Sequence, residues 1–225
     1  SFAPAESWNS HFGCNMEEGT WCSEKRNPRR LADVNGDGLP DIVGFQNEEV
    51  RVSLNTGASF APYEVWISHY GCTEASGGWC DDNINPRHVV DVNNDGMADI
   101  VGFGGDFIHL SLSTGSNFTQ VEILLKDFSC NAGGYCDEKI YPRFVQDMNG
   151  DGLADFAAFG GTSFGGNGVR VSLSSNPCPT ESPTASPTVS PTTSPTAFPT
   201  SSPTASPTVT PTTTPTASPT DCLSM

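Results

Sequence analysis

No stretch of this 225-residue chain is apolar for long enough to cross a bilayer as a helix. Basic residues are scarce: 10 Lys and Arg stand against 26 Asp and Glu, for a formal net charge of −16. Nucleic acid is thereby excluded as a partner, because its phosphates need Lys and Arg. There is no G-x-S-x-G elbow, no phosphate loop and no H-E-x-x-H zinc signature. The four histidines are His11, His69, His88 and His109; His11 and His69 fall at equivalent places in a repeat whose third copy has Asp127. Nothing there builds a catalytic constellation, so the chain reads as a non-enzyme. No window holds a 3.6-residue apolar period, which leaves little room for helix. A secretory signal is also missing, and the first residue is Ser1 rather than Met. The simplest expectation is a signal already removed, or a fragment.

What the chain does have is one motif three times. D-V-N-G-D-G-L-P-D at 33–41 returns as D-V-N-N-D-G-M-A-D at 91–99 and D-M-N-G-D-G-L-A-D at 147–155. Oxygen-bearing side chains occupy positions 1, 3, 5 and 9, and Gly occupies position 6. A short loop wraps a hard cation in this way, alternate side chains pointing inward while Gly permits the sharp turn. Asn-Gly and Asp-Gly also form plain turns, but a plain turn does not require Asp at positions 1, 5 and 9 as well. The expected calcium ligands are Asp33, Asn35, Asp37 and Asp41, then Asp91, Asn93, Asp95 and Asp99, then Asp147, Asn149, Asp151 and Asp155. The backbone carbonyls of Leu39, Met97 and Leu153 complete the three sets. Position 12, where an EF-hand places a bidentate Glu, holds Gly44, Gly102 and Ala158. Three Ca²⁺ would bring the net charge from −16 to −10.

The motif sets the phase of three units, 1–58, 59–116 and 117–176. The first two open with S-F-A-P and the third with N-F-T-Q. Each unit runs through an alternating segment (60–66 in the second), a cysteine-bracketed loop and N-P-R or Y-P-R. A short apolar strand (89–92), the cation loop, a second strand (99–103), a turn and a strongly alternating strand (108–113) follow. Four short strands split by Gly and Asn/Asp turns are the content of one propeller-type blade. The expected fold is all-β: three four-stranded blades in a partial propeller or blade array, then an extended polyproline-II-like tail. The cysteine pairs Cys14/Cys22, Cys72/Cys80 and Cys130/Cys136 recur once per unit, which predicts three local disulfides and an oxidising compartment. Their spacings are wider than those of zinc knuckles. Trp21, Trp79 and Tyr135 each precede the second cysteine, either packing on the disulfide or offering a sugar-stacking surface.

The D-x-N-x-D-G-x-x-D loop, followed by I-V-G-F-G-G at 100–105 and A-A-F-G-G at 157–161, resembles the FG-GAP/VCBS repeats. Those repeats line the propeller of integrin α chains and many secreted microbial proteins. The resemblance covers residues 1–176 and implies a calcium-stabilised propeller, without implying one ligand. Unit one departs from it with Phe45-Gln46-Asn47. Closed propellers have four to eight blades, so three units leave an arc with exposed edges. Another chain, a larger stacked assembly or further residues upstream would complete it. Self-association through edge strands is the expectation.

Residues 177–225 form the second region. Proline falls at every fourth position from Pro179 to Pro219, eleven in all, each followed by Thr. The tract cannot bury a core and favours polyproline II. It resembles O-glycosylated stalks and the hydroxyproline-rich walls of algae; a plain flexible spacer is the alternative. Candidate O-glycan acceptors are Thr180, Thr184, Thr188, Thr192, Thr196, Thr200, Thr204, Thr208, Thr212, Thr216 and Thr220, and Asn117-Phe118-Thr119 is an N-glycan sequon. Cys178 and Cys222 flank the tract. Extended at ~3.1 Å per residue it spans roughly 130 Å, so these two cysteines are expected to pair between chains. The resulting expectation is a secreted, glycosylated, calcium-stabilised subunit of an extracellular fibre or cell-surface appendage. The alternative is a stalked adhesive or lectin-like propeller with a glycan or protein ligand. An accessory domain cut from a secreted enzyme is a weaker third reading.

Overall fold

The structure is a computed structural model that describes residues 2–14, 21–161 and 168–175. Two units divide the chain, Ser1–Ser174 and Ser175–Met225, and every described strand lies in the first.

Three antiparallel sheets follow one another along the sequence. The first contains β1 (Arg29–Ala32), β2 (Asp41–Phe45), β3 (Val50–Ser53) and β4 (Glu64–Ile67), in that spatial order. The second repeats it with β5 (Arg87–Val90), β6 (Asp99–Phe103), β7 (Ile108–Ser111) and β8 (Glu122–Ile123). The third has β9 (Arg143–Gln146), β10 (Asp155–Phe159) and β11 (Val169–Ser172), three strands rather than four among the described residues. Registers match from sheet to sheet: Ile42 faces Ser53, Ile100 faces Ser111 and Phe156 faces Ser172. Helix among the described residues is limited to one turn, α1 (Cys130–Gly133), and a 3₁₀ turn at Glu74–Ser76.

Sheet and repeat are out of phase. The alternating segment that opens the second unit supplies β4, the outer strand of the first sheet, and the segment that opens the third supplies β8 for the second sheet. Alternation marks a strand but does not name the strand it pairs with.

The core lies between sheets. Side chains of β6 point alternately to opposite faces. Ile100 joins a cluster with Val43, Phe45, Val50, Trp66 and Tyr70, whereas Val101 and Phe103 join a second cluster with Phe128, Tyr135 and Ala158. The middle strand is thus buried on both sides, which is why D-I-V-G-F reads as a continuous apolar run. Each disulfide-closed loop drops one aromatic ring onto this packing. A Cβ on Gly102 would lie 2.6 Å from the ring of Trp79, and one on Gly44 would lie 2.4 Å from the ring of Trp21. In the third unit the smaller Tyr135 stands at the Trp position and Ala158 at the Gly position.

A buried arginine ties neighbouring units together. Arg87 donates from its backbone N and from Nε to Asp82, from Nη1 to the Tyr70 carbonyl and from Nη2 to the Arg26 carbonyl of the preceding unit. Arg143 repeats this with Glu138, Phe128 and Ile84. Both guanidinium groups sit over a Phe ring of the preceding sheet, Phe45 and Phe103.

Candidate functional site

The three acidic loops have one geometry. The first Asp of each turns its carboxylate onto the amides of its own loop. Asp33 accepts from Asn35, Gly36 and Gly38; Asp91 from Asn93, Asn94 and Gly96; Asp147 from Asn149, Gly150 and Gly152. The amides of Asn35, Asn93 and Asn149 donate across to Asp37, Asp95 and Asp151 at 3.0, 2.9 and 2.9 Å. The backbone N–H groups of Leu39, Met97 and Leu153 donate back to the same three aspartates. Positions 1, 3 and 5 are thus brought together in every copy. Left-handed glycines carry the turn, Gly36 and Gly38 in the first loop; at 94 the second copy puts Asn in that conformation, with φ of 61°.

Position 9 has a different part. Asp41, Asp99 and Asp155 are fully buried at the start of β2, β6 and β10. One carboxylate oxygen accepts from Val34, Val92 or Met148 inside the loop, and the other from Asn55, Ser113 or Ser174 after the next hairpin. This residue latches loop to sheet.

Burial pushes the Asp99 carboxyl up to about 7; the amides of Val92 and Ser113 oppose this, and Asp95 and Asp91 add to it. Asp41 is raised by burial in the same way. Asp147 is lowered, chiefly by the amides of Gly152 and Gly150. Among the described residues no ion pair with Lys or Arg involves any of the nine loop aspartates at positions 1, 5 and 9. In each loop the carboxylates at positions 1 and 5 and the amide at position 3 lie together without a counter-charge, oxygen donors of the kind a hard divalent cation takes. Among the described residues, three or more carboxylate, imidazole or thiol groups are nowhere grouped so as to hold a metal. The expected ligand sets, however, draw on Asn and on main-chain carbonyls as well.

The three predicted local disulfides are present: Cys14–Cys22, Cys72–Cys80 and Cys130–Cys136, with Cα atoms 4.5, 4.3 and 4.4 Å apart. Such bonds belong to an oxidising, non-cytosolic environment. No described helix is long and apolar enough to cross a membrane. Trp21, Trp79 and Tyr135 are buried, so they pack rather than present a sugar platform. Asn117 is exposed at a turn. Cys178, Cys222 and the eleven Thr acceptors lie outside the described residues.

Two further polar features lie outside the acidic loops. His69 Nε2 lies 3.4 Å from His109 Nδ1, and His69 and His109 each pack edge-on against Trp79. Burial lowers His69 and brings His109 to about 4, with His69 adding to the effect. The equivalent pair in the third unit is an Asp127–Arg170 ion pair. A depression of about 210 Å³ is lined by Gln46, Asn47, Glu48, Glu49 and Arg51. Gln46 is 4% exposed, and its Nε2 has no hydrogen-bond partner. The cysteine loop of the second unit closes over this turn, with Thr73 N donating to Asn47 O. Its only forewarning was the departure of Phe45-Gln46-Asn47 from Phe-Gly-Gly.

Residues 33–102 match the FG-GAP-like repeat family. Among solved structures, the chain is similar to an Agrocybe aegerita lectin described for specific recognition of non-reducing terminal N-acetylglucosamine. Identity is 37% and the TM-score 0.57, over 62% of this chain and 34% of that one. The chain therefore spans about a third of the lectin's length. A Photorhabdus luminescens Tc holotoxin pore matches at 23% identity and a TM-score of 0.41, over 57% of this chain and 6% of the other. No curated protein matches. This chain is a β-sheet repeat module that carries an FG-GAP-like repeat.

Proposed function

We propose that the chain is a secreted, calcium-stabilised glycan-binding repeat module, with no catalytic step of its own. The observation that carries this is its 37% identity to a lectin that recognises terminal N-acetylglucosamine. The depression at Gln46 supports it. There Arg51, Asn47 and Glu49 offer polar groups to a pyranose. Calcium, one ion per loop, would be held by the side chains at positions 1, 3, 5 and 9 and the position-7 carbonyl. It would supply charge balance and cross-link each loop.

A glycan array and titration calorimetry on the calcium-loaded full chain test the reading. Binding of oligosaccharides ending in N-acetylglucosamine, weakened at least tenfold by Arg51→Ala with the β-sheet spectrum retained, is the expected result. Calcium-loaded, folded protein that binds no sugar class would remove it.

The second reading is a structural subunit of a glycosylated extracellular fibre, with tails running along or between subunits. What favours it is the exposure of Phe159, Val169 and Val171 on the third sheet. Electron microscopy of native material separates the two: fibres of regular rise for the subunit, discrete particles for the binder.

A further inference from the structure

Two imidazoles face each other in the second unit, at a place where the other two units hold different side chains. The position of His69 is His11 in the first unit and Asp127 in the third; that of His109 is Arg51 and Arg170. Asp127 and Arg170 form an ion pair, while Arg51 pairs with Glu49 and lies over the ring of Tyr63. The repeat therefore does not need an imidazole pair here in order to fold.

Both rings are held in place. His109 lies on β7, which pairs along its length with the middle strand β6. His69 just precedes the loop closed by Cys72–Cys80. Trp79 comes from that loop, is 3% exposed and packs edge-on against both rings. His69 also packs edge-on against the buried Tyr70. The two imidazoles lie within 15° of parallel, with centroids 5.5 Å apart.

The facing nitrogens, His69 Nε2 and His109 Nδ1, are 3.4 Å apart, which is long for a hydrogen bond. Two nitrogens each about 2.05 Å from one zinc ion lie 3.4 Å apart when the N–Zn–N angle is about 110°, close to tetrahedral. Burial lowers both groups, so both rings are neutral near pH 7 and need lose no charge to become ligands. Each ring is only half-buried, which leaves a solvent side from which an ion can enter.

We propose that His69 and His109 together bind one borderline divalent transition-metal ion of the zinc class. Imidazole suits such ions, whereas calcium takes oxygen ligands, so this site is separate in chemistry from the three acidic loops. Two protein ligands leave the remaining positions to water, and the ion is therefore exchangeable. When bound it cross-links β7 to the segment that leads into the disulfide loop, which stabilises the second sheet. The inference rests on neither sugar nor calcium binding.

The test is calorimetric titration of the full, disulfide-intact chain, free of any affinity tag, with zinc chloride in excess calcium. One zinc ion per chain is expected, together with movement of the His69 Nε2 and His109 Nδ1 signals in nitrogen-15 spectra. His69→Asp with His109→Arg installs the residues of the third unit; it should keep the β-sheet spectrum and weaken zinc binding at least tenfold. His109→Gln, a single and smaller change, should weaken binding to the same extent. A native chain that takes up no zinc in excess calcium overturns the proposal. So does uptake that persists undiminished in either variant, or zinc binding that leaves both nitrogen signals where they were.

Discussion

Among single residues, the pairing of Trp79 with Gly102 carries a prediction that its own third copy suggests. A methyl group at Gly102 has no room under the indole, and overpacking of this kind costs roughly 1–3 kcal/mol. Where nature places Ala158, the facing ring is Tyr135. Gly102→Ala should therefore lower stability strongly in the native background and much less in Trp79→Tyr. Denaturant melts of the two single variants and the double should show a coupling of about 1 kcal/mol or more. Equal costs in both backgrounds would mean that the ring does not set the size at this position. The aromatic-before-cysteine pattern was plain in the sequence, but its contact with a glycine 23 residues later was not. Arg87 and Arg143 were hidden for a different reason. N-P-R and Y-P-R read as a turn, and only the fold shows that each guanidinium is buried and bonded to two carbonyls as well as to Asp82 or Glu138. The one signal available was an acid five residues before each Arg, which includes Glu24 and Arg29.

Within each acidic loop the aspartates divide into two kinds, one exposed and bonded inside the loop, the other buried and bonded into the sheet. Asp95 is exposed and bonds only within its loop, whereas Asp99 is buried and accepts from amides on both sides of a hairpin. Asp95→Ala should drop the calcium stoichiometry from three to two, by calorimetry, and leave the chelated protein as stable as before. Asp99→Ala should destabilise the chain with or without chelator, because it strands two amide donors at about 1–3 kcal/mol each. Chelation of the native chain should itself lower the melting temperature, since each site held at 100 times its Kd contributes about 2.7 kcal/mol. Superimposable melts with and without chelator would take calcium out of the fold. The spacing of Asp and Gly made the loop legible as a candidate, for local chemistry dictates that geometry. The partner of each opening strand was not legible, since β4 and β8 pair across a unit boundary and strand pattern carries no address.

For the whole unit, stability should be distributed as in a linear array, because each sheet is held only by its neighbours. The second sheet has an apolar cluster on both faces, and the first and third have one apiece. Among the described residues the first sheet has four strands, while the third has three and exposes Phe159, Val169 and Val171. Amide exchange should therefore be slowest in β6 and β7, intermediate in β2 and β3, and fastest in β10 and β11. Exchange that is uniform over the three sheets would mean that they unfold as one cooperative body. In that event the exposed side chains of the third sheet would leave it no weaker than the junctions inside the chain.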